Sequence, residues 1–326
     1  MNILVTGGAG YIGSVVAAQL VRAGHRVTVF DNLSHGKRRA VPAGVEFVLG
    51  DVADCRTLKD VISSRHVDAV MHFAGVIEAG ESMRVPELYF RNNTANTLSL
   101  LQAMLEQGVL HFVFSSTAAL YGDPESTPID EMARLCPTNA YGESKLLVER
   151  MLEWFHRVHG LRYATLRYFN AAGAWGDFGE DHRPESHLIP LILRVALGQS
   201  THIAIFGNDY ETLDGTCVRD YVHVSDLSRA HLLVLDKLDQ NGRMIYNLGN
   251  GRGFSVREVL EVARRVTGRP LPAIEAPRRP GDPAVLVASS LKIQRELNWV
   301  PEYSELEAIV ASAWEWQQRH PNGYEE

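Results

Sequence analysis

The chain has 326 residues, 45% of them hydrophobic and 22% charged, with a formal net charge of −7 at pH 7. The length allows a large core and a second lobe, and the acidic balance gives no electrostatic reason to expect nucleic acid or an anionic membrane as partner. No apolar run approaches the ~18 residues that suggest a bilayer span, and no signal peptide is visible before the first strand.

Ile3, Leu4 and Val5 form a branched apolar run, as a buried parallel strand needs. A glycine-rich turn follows, and then a helical pattern over 11–22. Gly8, Gly10 and Gly13 fit the G-x-G-x-x-G spacing; Gly7, Gly10 and Gly13 fit a looser three-residue spacing. Glycines let backbone approach a pyrophosphate, and the open helix N-terminus binds it. A second strand over 26–30 ends at Asp31, where a ribose 2′-hydroxyl needs an acceptor. That acid repels a 2′-phosphate, so NAD is favoured over NADP, and Lys37, Arg38 and Arg39 read as a solvated loop.

Further strands are predicted over 45–49, 69–73, 110–114 and 162–168, with helices over 55–64, 86–107 and 138–159 between them. This alternation implies right-handed crossovers and a doubly wound parallel-sheet (Rossmann) α/β domain. Residues 1–170 make up that dinucleotide-binding domain, and 221–248 rejoin it. Residues 171–220 and 249–326 form a smaller α/β substrate-binding lobe, with 269–283, rich in proline, as a loop. Cys55, Cys136 and Cys217 read as reduced thiols of a cytoplasmic protein. His156 and His159 share a helix face without an apparent third ligand, so no metal site is expected.

Tyr141 and Lys145 stand four residues apart, on one face of the 138–159 helix. A free tyrosine, with a pKa of about 10, is a poor base near neutral pH. A nearby cation favours the phenolate, so the lysine is expected to lower that pKa, and an oxidised nicotinamide to lower it further.

These features together resemble the extended short-chain dehydrogenase/reductases, and within them the epimerases of nucleotide sugars. The resemblance spans nearly the whole chain: Gly7 to Gly13, Asp31-Asn32, Gly50-Asp51, His72 to Gly75, Ser115-Ser116-Thr117, Tyr141 with Lys145, Tyr168-Phe169-Asn170, Asp214 to Tyr221 and Arg278 to Asp282. It implies that Gly7, Gly10, Tyr11, Ile12 and Gly13 wrap the pyrophosphate of NAD. Asp31 and Asn32 hold the adenosine ribose with Ser34 and Gly36 near it, and Asp51 and Val52 border the adenine. Phe73, Ala74, Gly75 and Asn92 line the middle of the cofactor; Ser115, Lys145 and Tyr168 hold its nicotinamide half. Thr117 and Tyr141 meet the sugar's 4-hydroxyl. Asn170, Leu188, Ala204, Ile205, Phe206, Arg219, Arg279 and Asp282 hold the UDP. The implied reaction is reversible inversion at C4 of a UDP-hexose through a 4-keto intermediate, and the implied assembly is a homodimer formed by the 86–107 and 138–159 helices.

Several residues depart from that pattern. Thr117 stands where some members have serine, Ile77 where a lysine is often found, and His187 where some carry an amide at the nucleotide site. Val285 takes the place of a bulky tyrosine, which suggests room for a 2-acetamido group. A dehydratase or decarboxylase places acids just after the Ser/Thr position; here Ala118 and Ala119 follow Thr117. An epimerase acting on a UDP-pentose or UDP-uronate stays open. A non-catalytic NAD-sensing protein of this fold usually lacks the tyrosine and lysine, and both are present.

Overall fold

The computed structural model describes residues 1–279 and 282–325; Pro280 and Gly281 of the Arg278-to-Asp282 motif lie outside them. In chain order the elements open with β1 (Asn2–Thr6), α1 (Tyr11–Arg22), β2 (Arg26–Asp31), β3 (Glu46–Leu49), α2 (Cys55–Ser64) and β4 (Ala69–His72). There follow α3 (Ala79–Ser82), α4 (Pro86–Tyr89), α5 (Asn96–Glu106), β5 (His111–Thr117), α6 (Ala140–His159), β6 (Arg162–Tyr168) and β7 (Asn170–Ala172). The chain continues through α7 (Leu188–Ala196), β8 (Ile203–Phe206), β9 (Val218–His223), α8 (Val224–Asn241), β10 (Arg243–Leu248), β11 (Gly253–Ser255) and α9 (Val256–Thr267). It closes with β12 (Ala273–Ala276), β13 (Val285–Leu286), α10 (Leu291–Leu297) and α11 (Leu306–Arg319). No helix among the described residues is long and apolar enough to cross a membrane.

Two compact units result. The first comprises Met1–Gly122, Arg134–Arg167 and Ser228–Tyr246; the second comprises Asp123–Ala133, Tyr168–Leu227 and Asn247–Glu326. In the first, seven strands run in the order β10-β6-β5-β4-β1-β2-β3. β1 pairs in parallel with both β2 and β4, β2 with β3, and β4 with β5. The connection order reverses between β1 and β4, and in such sheets ligands bind beyond the carboxyl ends of the strands at that point. The Gly7 turn follows β1 and the Phe73–Gly75 turn follows β4. One face of the sheet is closed by Leu58, Ile62, Leu100, Leu101, Met104 and Leu152, which pack with Val70, Phe112 and Phe114. These side chains come from helices on the face opposite solvent, as their spacing in α2, α5 and α6 requires.

The predicted 86–107 helix is interrupted. Phe90–Ala95 form a π-helical stretch between α4 and α5, a widening often found at functional sites. Here it accompanies Asn93, whose carboxamide accepts from Val76 N (2.9 Å) and donates to Val76 O (2.9 Å) and Ser144 Oγ (3.0 Å). α6 starts two residues later than predicted because Asn139 caps it, its Oδ1 accepting from Gly142 N at 2.8 Å.

In the second unit β9 is the hub. It pairs antiparallel with β11 and in parallel with β7 and β13. Around it α7, α9 and α11 bury Ile192, Leu193, Val259, Leu260, Ile309 and Val310 in one core. α9 opens on a capping box between Ser255 and Glu258. The proline-rich stretch contains β12, paired in parallel with β8; three of its four residues are exposed, so no apolar alternation marks it. Asp123–Ala133 belongs with this unit, although the sequence places it in the first lobe. The reason is backbone pairing: Ile129 N donates to Val287 O (2.8 Å), and Ser289 N to Ile129 O (2.7 Å).

Candidate active site

The glycine turn is shaped by contacts that no side chain tolerates. Gly7 has φ +72°, and a Cβ there would lie 2.4 Å from Ala74 N; one at Gly13 would lie 2.3 Å from Gly7 O. Gly10 is the N-cap of α1 and supplies no side-chain cap, and the helix has no acid in its first turn. Neither a side-chain cap nor an acid competes for the start of this helix, which suits an anion. Tyr11 and Ile12 begin the helix, Tyr11 buried. Gly7→Ala forces a left-handed backbone on alanine and a clash with backbone at Ala74. It should destabilise the fold by more than ~1 kcal/mol and release bound NAD; nucleotide released on denaturing the purified variant measures this, and full retention contradicts it.

Asp31 closes the other side. Its carboxylate accepts from Ala9 N (3.0 Å) and Leu33 N (2.8 Å), so it ties the glycine turn to the end of β2. Burial pushes its carboxyl up, against the pull of those two amides. Gly36 leaves room for it: a Cβ there would lie 2.9 Å from Asp31 Oδ1. Asn32 donates to Asp51 Oδ2 (2.8 Å) and accepts from Ser34 N (2.9 Å), while Val52 is buried. The predicted adenosine residues thus form one connected group. A helix start without a side-chain cap, a glycine cradle and an acceptor at the end of β2 fit a dinucleotide carrying a free 2′-hydroxyl.

At the carboxyl end of β4, His72 bridges Thr6 Oγ1 (2.7 Å) and Thr97 Oγ1 (2.9 Å). Burial lowers its pKa to about 3, so this ring is a neutral strut. Phe73, Ala74 and Gly75 follow; Phe73 N and Ala74 N both donate to Thr6 O. Asn92 lies half-buried in the π-helical stretch, beside the fully tied Asn93.

The end of β5 and the start of α6 carry the reactive groups. Lys145 is 3% exposed. Its Nζ donates to Ser115 O at 3.2 Å and lies 5.0 Å from the Phe114 ring centroid. Desolvation lowers its pKa to about 8. The Tyr141 phenol faces the Thr117 hydroxyl, and its ring meets Tyr89 edge-on at 6.4 Å. Contrary to expectation, its pKa is raised and not lowered. Burial is the main cause, the Thr117 hydroxyl opposes it, and Glu78 adds to it. Lys145 lies one helical turn on, yet its charge does not offset the burial of the phenol.

One helical turn beyond Lys145, Glu149 holds this face in place, a residue that sequence reasoning missed. It accepts from Ser116 Oγ (2.6 Å) and from Arg167 Nε (3.1 Å) and Nη2 (2.7 Å). Arg167 Nη1 donates in turn to Tyr121 Oη (2.8 Å). Both charged side chains are nearly inaccessible, 3% exposed for Arg167 and 6% for Glu149. The only sequence signal was the repeat of Tyr141, Lys145 and Glu149 at four-residue spacing.

The second unit carries the residues predicted to hold UDP. Arg219 Nη2 pairs with Asp282 Oδ1 at 2.5 Å, and its Nη1 donates to Val218 O at 2.8 Å. The Arg279 guanidinium lies 4.2 Å above the Phe206 ring. Asn170 Nδ2 donates to Asp220 O at 3.0 Å. Leu188 opens α7, Val285 sits in β13 opposite Val218, and Tyr168 ends β6. Ala204 and Phe206 are partly exposed, whereas the Ile205 side chain is buried in the core, which leaves only its backbone for a ligand. His187 is engaged by acids: its Nδ1 lies 2.9 Å from Glu180 and 3.0 Å from Glu185.

The sequence profile of the NAD dependent epimerase/dehydratase family matches residues 3–249. The chain belongs to that family. A UDP-glucose 4-epimerase of Halalkalibacterium halodurans is 52% identical over 99% of this chain and 98% of its own length. A crystal structure of a UDP-glucose 4-epimerase superposes with a TM-score of 0.97 at 50% identity, over 100% of both chains. A crystal structure of the Bifidobacterium longum UDP-glucose 4-epimerase in complex with NAD+ and UDP superposes with a TM-score of 0.95 at 38% identity, over 99% of this chain and 100% of that one. As a member of the NAD dependent epimerase/dehydratase family, the chain combines the family's dinucleotide cradle with a tyrosine, a lysine and a hydroxyl at the ends of α6 and β5.

Proposed function

We propose that the protein interconverts the C4 epimers of a UDP-hexose, UDP-glucose and UDP-galactose, with NAD held throughout. The observation that carries this reading is the half-buried Tyr141 phenol, beside the Thr117 hydroxyl and one turn from Lys145, in a chain whose close relatives are UDP-glucose 4-epimerases. When bound, NAD supplies reversible hydride chemistry at the sugar's C4. Tyr141 takes the proton from the C4 hydroxyl and later returns it to the same oxygen. Thr117 holds that oxygen toward the phenol, and Lys145, anchored on Ser115, provides positive charge as the phenolate forms. A positioned proton acceptor of this kind is typically worth 10²–10⁴-fold in rate. Purified protein incubated with UDP-galactose and NAD should form UDP-glucose; absence of product overturns the reading.

Arginine suits a diphosphate because its planar fork donates two charge-assisted hydrogen bonds. Arg219 is held rigid by Asp282, and Arg279 is steadied by the Phe206 ring. Removing one charged hydrogen-bonding group costs about 1.5–3 kcal/mol. Arg279→Leu should therefore raise KM for the UDP-sugar by roughly 10–150-fold with kcat little changed. An unchanged KM removes Arg279 from the site.

Val285 in place of a bulkier residue supports turnover of UDP-N-acetylhexosamines as well. Val285→Tyr should abolish that turnover and spare the hexose reaction; a wild type inactive on the acetamido sugars refutes the idea. The reading includes a homodimer through the α5 and α6 region. Trp154 and Val158, one turn apart on α6, are 63% and 66% exposed, whereas Leu101 faces the core. A monomer by light scattering contradicts the dimer. The three free cysteines fit residence in the cytoplasm.

A further inference from the structure

A second cluster of side chains lies in the second unit, on the loop leading into α7. Glu180, His182, Glu185 and His187 each offer one ligand atom, and all four atoms lie within 4.8 Å of one another. His182 Nδ1 is 3.0 Å from Glu180 Oε1. His187 Nδ1 is 2.9 Å from that same oxygen and 3.0 Å from Glu185 Oε1. For metal bonds near 2.0–2.2 Å, the edges of a ligand tetrahedron measure roughly 3.3–3.5 Å. Three donor pairs are slightly closer than such an edge, none is further apart than 4.8 Å, and all four converge from one short segment.

The surroundings suit a resident ion. The Glu180 and Glu185 side chains are 7% and 1% exposed, while His182 and His187 are 20% and 40% exposed. The carboxylates form the floor and the imidazoles the rim. Glu185 Oε1 also accepts from the amides of Ser186 and His187, each at 2.8 Å. Such outer hydrogen bonds orient a metal-ligating carboxylate. Two carboxylates and two neutral imidazoles balance a dication. A mixed nitrogen and oxygen set of four favours zinc or cobalt over calcium or magnesium, which take oxygen ligands in larger number.

We propose that Glu180, His182, Glu185 and His187 form a zinc-type divalent cation site that fixes the loop entering α7. His187 then serves the metal and not the uridine. The loop is already fastened at its outer edge. Arg183 donates to Asn322 O at 2.6 Å, and Asp181 accepts from Tyr324 N at 3.0 Å. A metal would fasten its inner edge as well.

The test uses the full chain, stripped with a chelator, desalted, and loaded with zinc or with cobalt(II). The proposal predicts about one zinc retained per chain after desalting. It also predicts a melting temperature raised by several degrees in excess zinc, and intense visible cobalt bands of a four-coordinate ion. His182→Ala should lose the retained zinc and the cobalt bands with its circular dichroism unchanged. His182→Gln, which keeps a hydrogen-bonding side chain toward Glu180, should lose them too and covers the case in which the alanine variant fails to fold. No zinc retained by wild type, the weak spectrum of six-coordinate cobalt, or full retention in the folded variants would each overturn the proposal.

Discussion

Replacing Tyr141 with phenylalanine should lower turnover by about 10²–10⁴-fold while NAD stays bound. The substitution removes one oxygen and keeps the ring that meets Tyr89 edge-on at 6.4 Å, so packing is preserved and only the proton acceptor is lost. Lys145 keeps its bond to Ser115 O, and the glycine cradle is untouched. The two readouts therefore separate: kcat falls, and nucleotide released on denaturation is unchanged. Near-normal turnover would show that another group moves the proton. The raised pKa of Tyr141 sharpens the argument. Burial raises the pKa of the phenol in the chain alone, and positive charge brought by the cofactor would lower it.

Glu149→Ala should lower the unfolding free energy by about 3–5 kcal/mol, the usual cost of stripping one partner from a buried ion pair. Arg167 would be left charged at 3% exposure, still donating to Tyr121, and Ser116 would lose its 2.6 Å acceptor. A shift of the denaturant midpoint at unchanged slope is the expected signature. Replacing both Glu149 and Arg167 with methionine should recover much of the loss, because an apolar pair of similar volume leaves no buried charge. An unchanged midpoint for the single variant would show the pair to be dispensable. Loss of the clamp should also lower kcat, since Ser116 lies between Ser115, the support of Lys145, and Thr117, the partner of Tyr141.

What could be read from the residues alone depended on whether a requirement is local. Gly7, Gly10 and Gly13 were legible because close backbone approach excludes side chains at fixed spacing. Asp31 was legible because the end of a strand fixes its place. Tyr141 and Lys145 were legible as a pair on one helix face, but the depth of burial that sets their proton affinities comes from β5 and α4, far off in sequence. Glu149 and Asn93 escaped notice for the same reason: their partners lie 17 to 51 residues away, and an isolated acid or amide on a helix carries no pattern. Much of the Asp214-to-Tyr221 motif is scaffold. Asp214 accepts from Thr216 N (2.9 Å) and from Ser255 Oγ. Asp220, fully buried, accepts from the amides of Asn250, Gly251 and Ala288. Arg219, between them, donates to Val218 O and pairs with Asp282.

The claim at the centre of the account is that the hydrogen removed from C4 returns to C4 without leaving the protein. UDP-galactose deuterated at C4, incubated with purified protein and no added cofactor, tests it most directly. The account predicts UDP-glucose that keeps the deuterium at C4. Product whose label has been lost to water, or no product from protein that carries NAD, would contradict it.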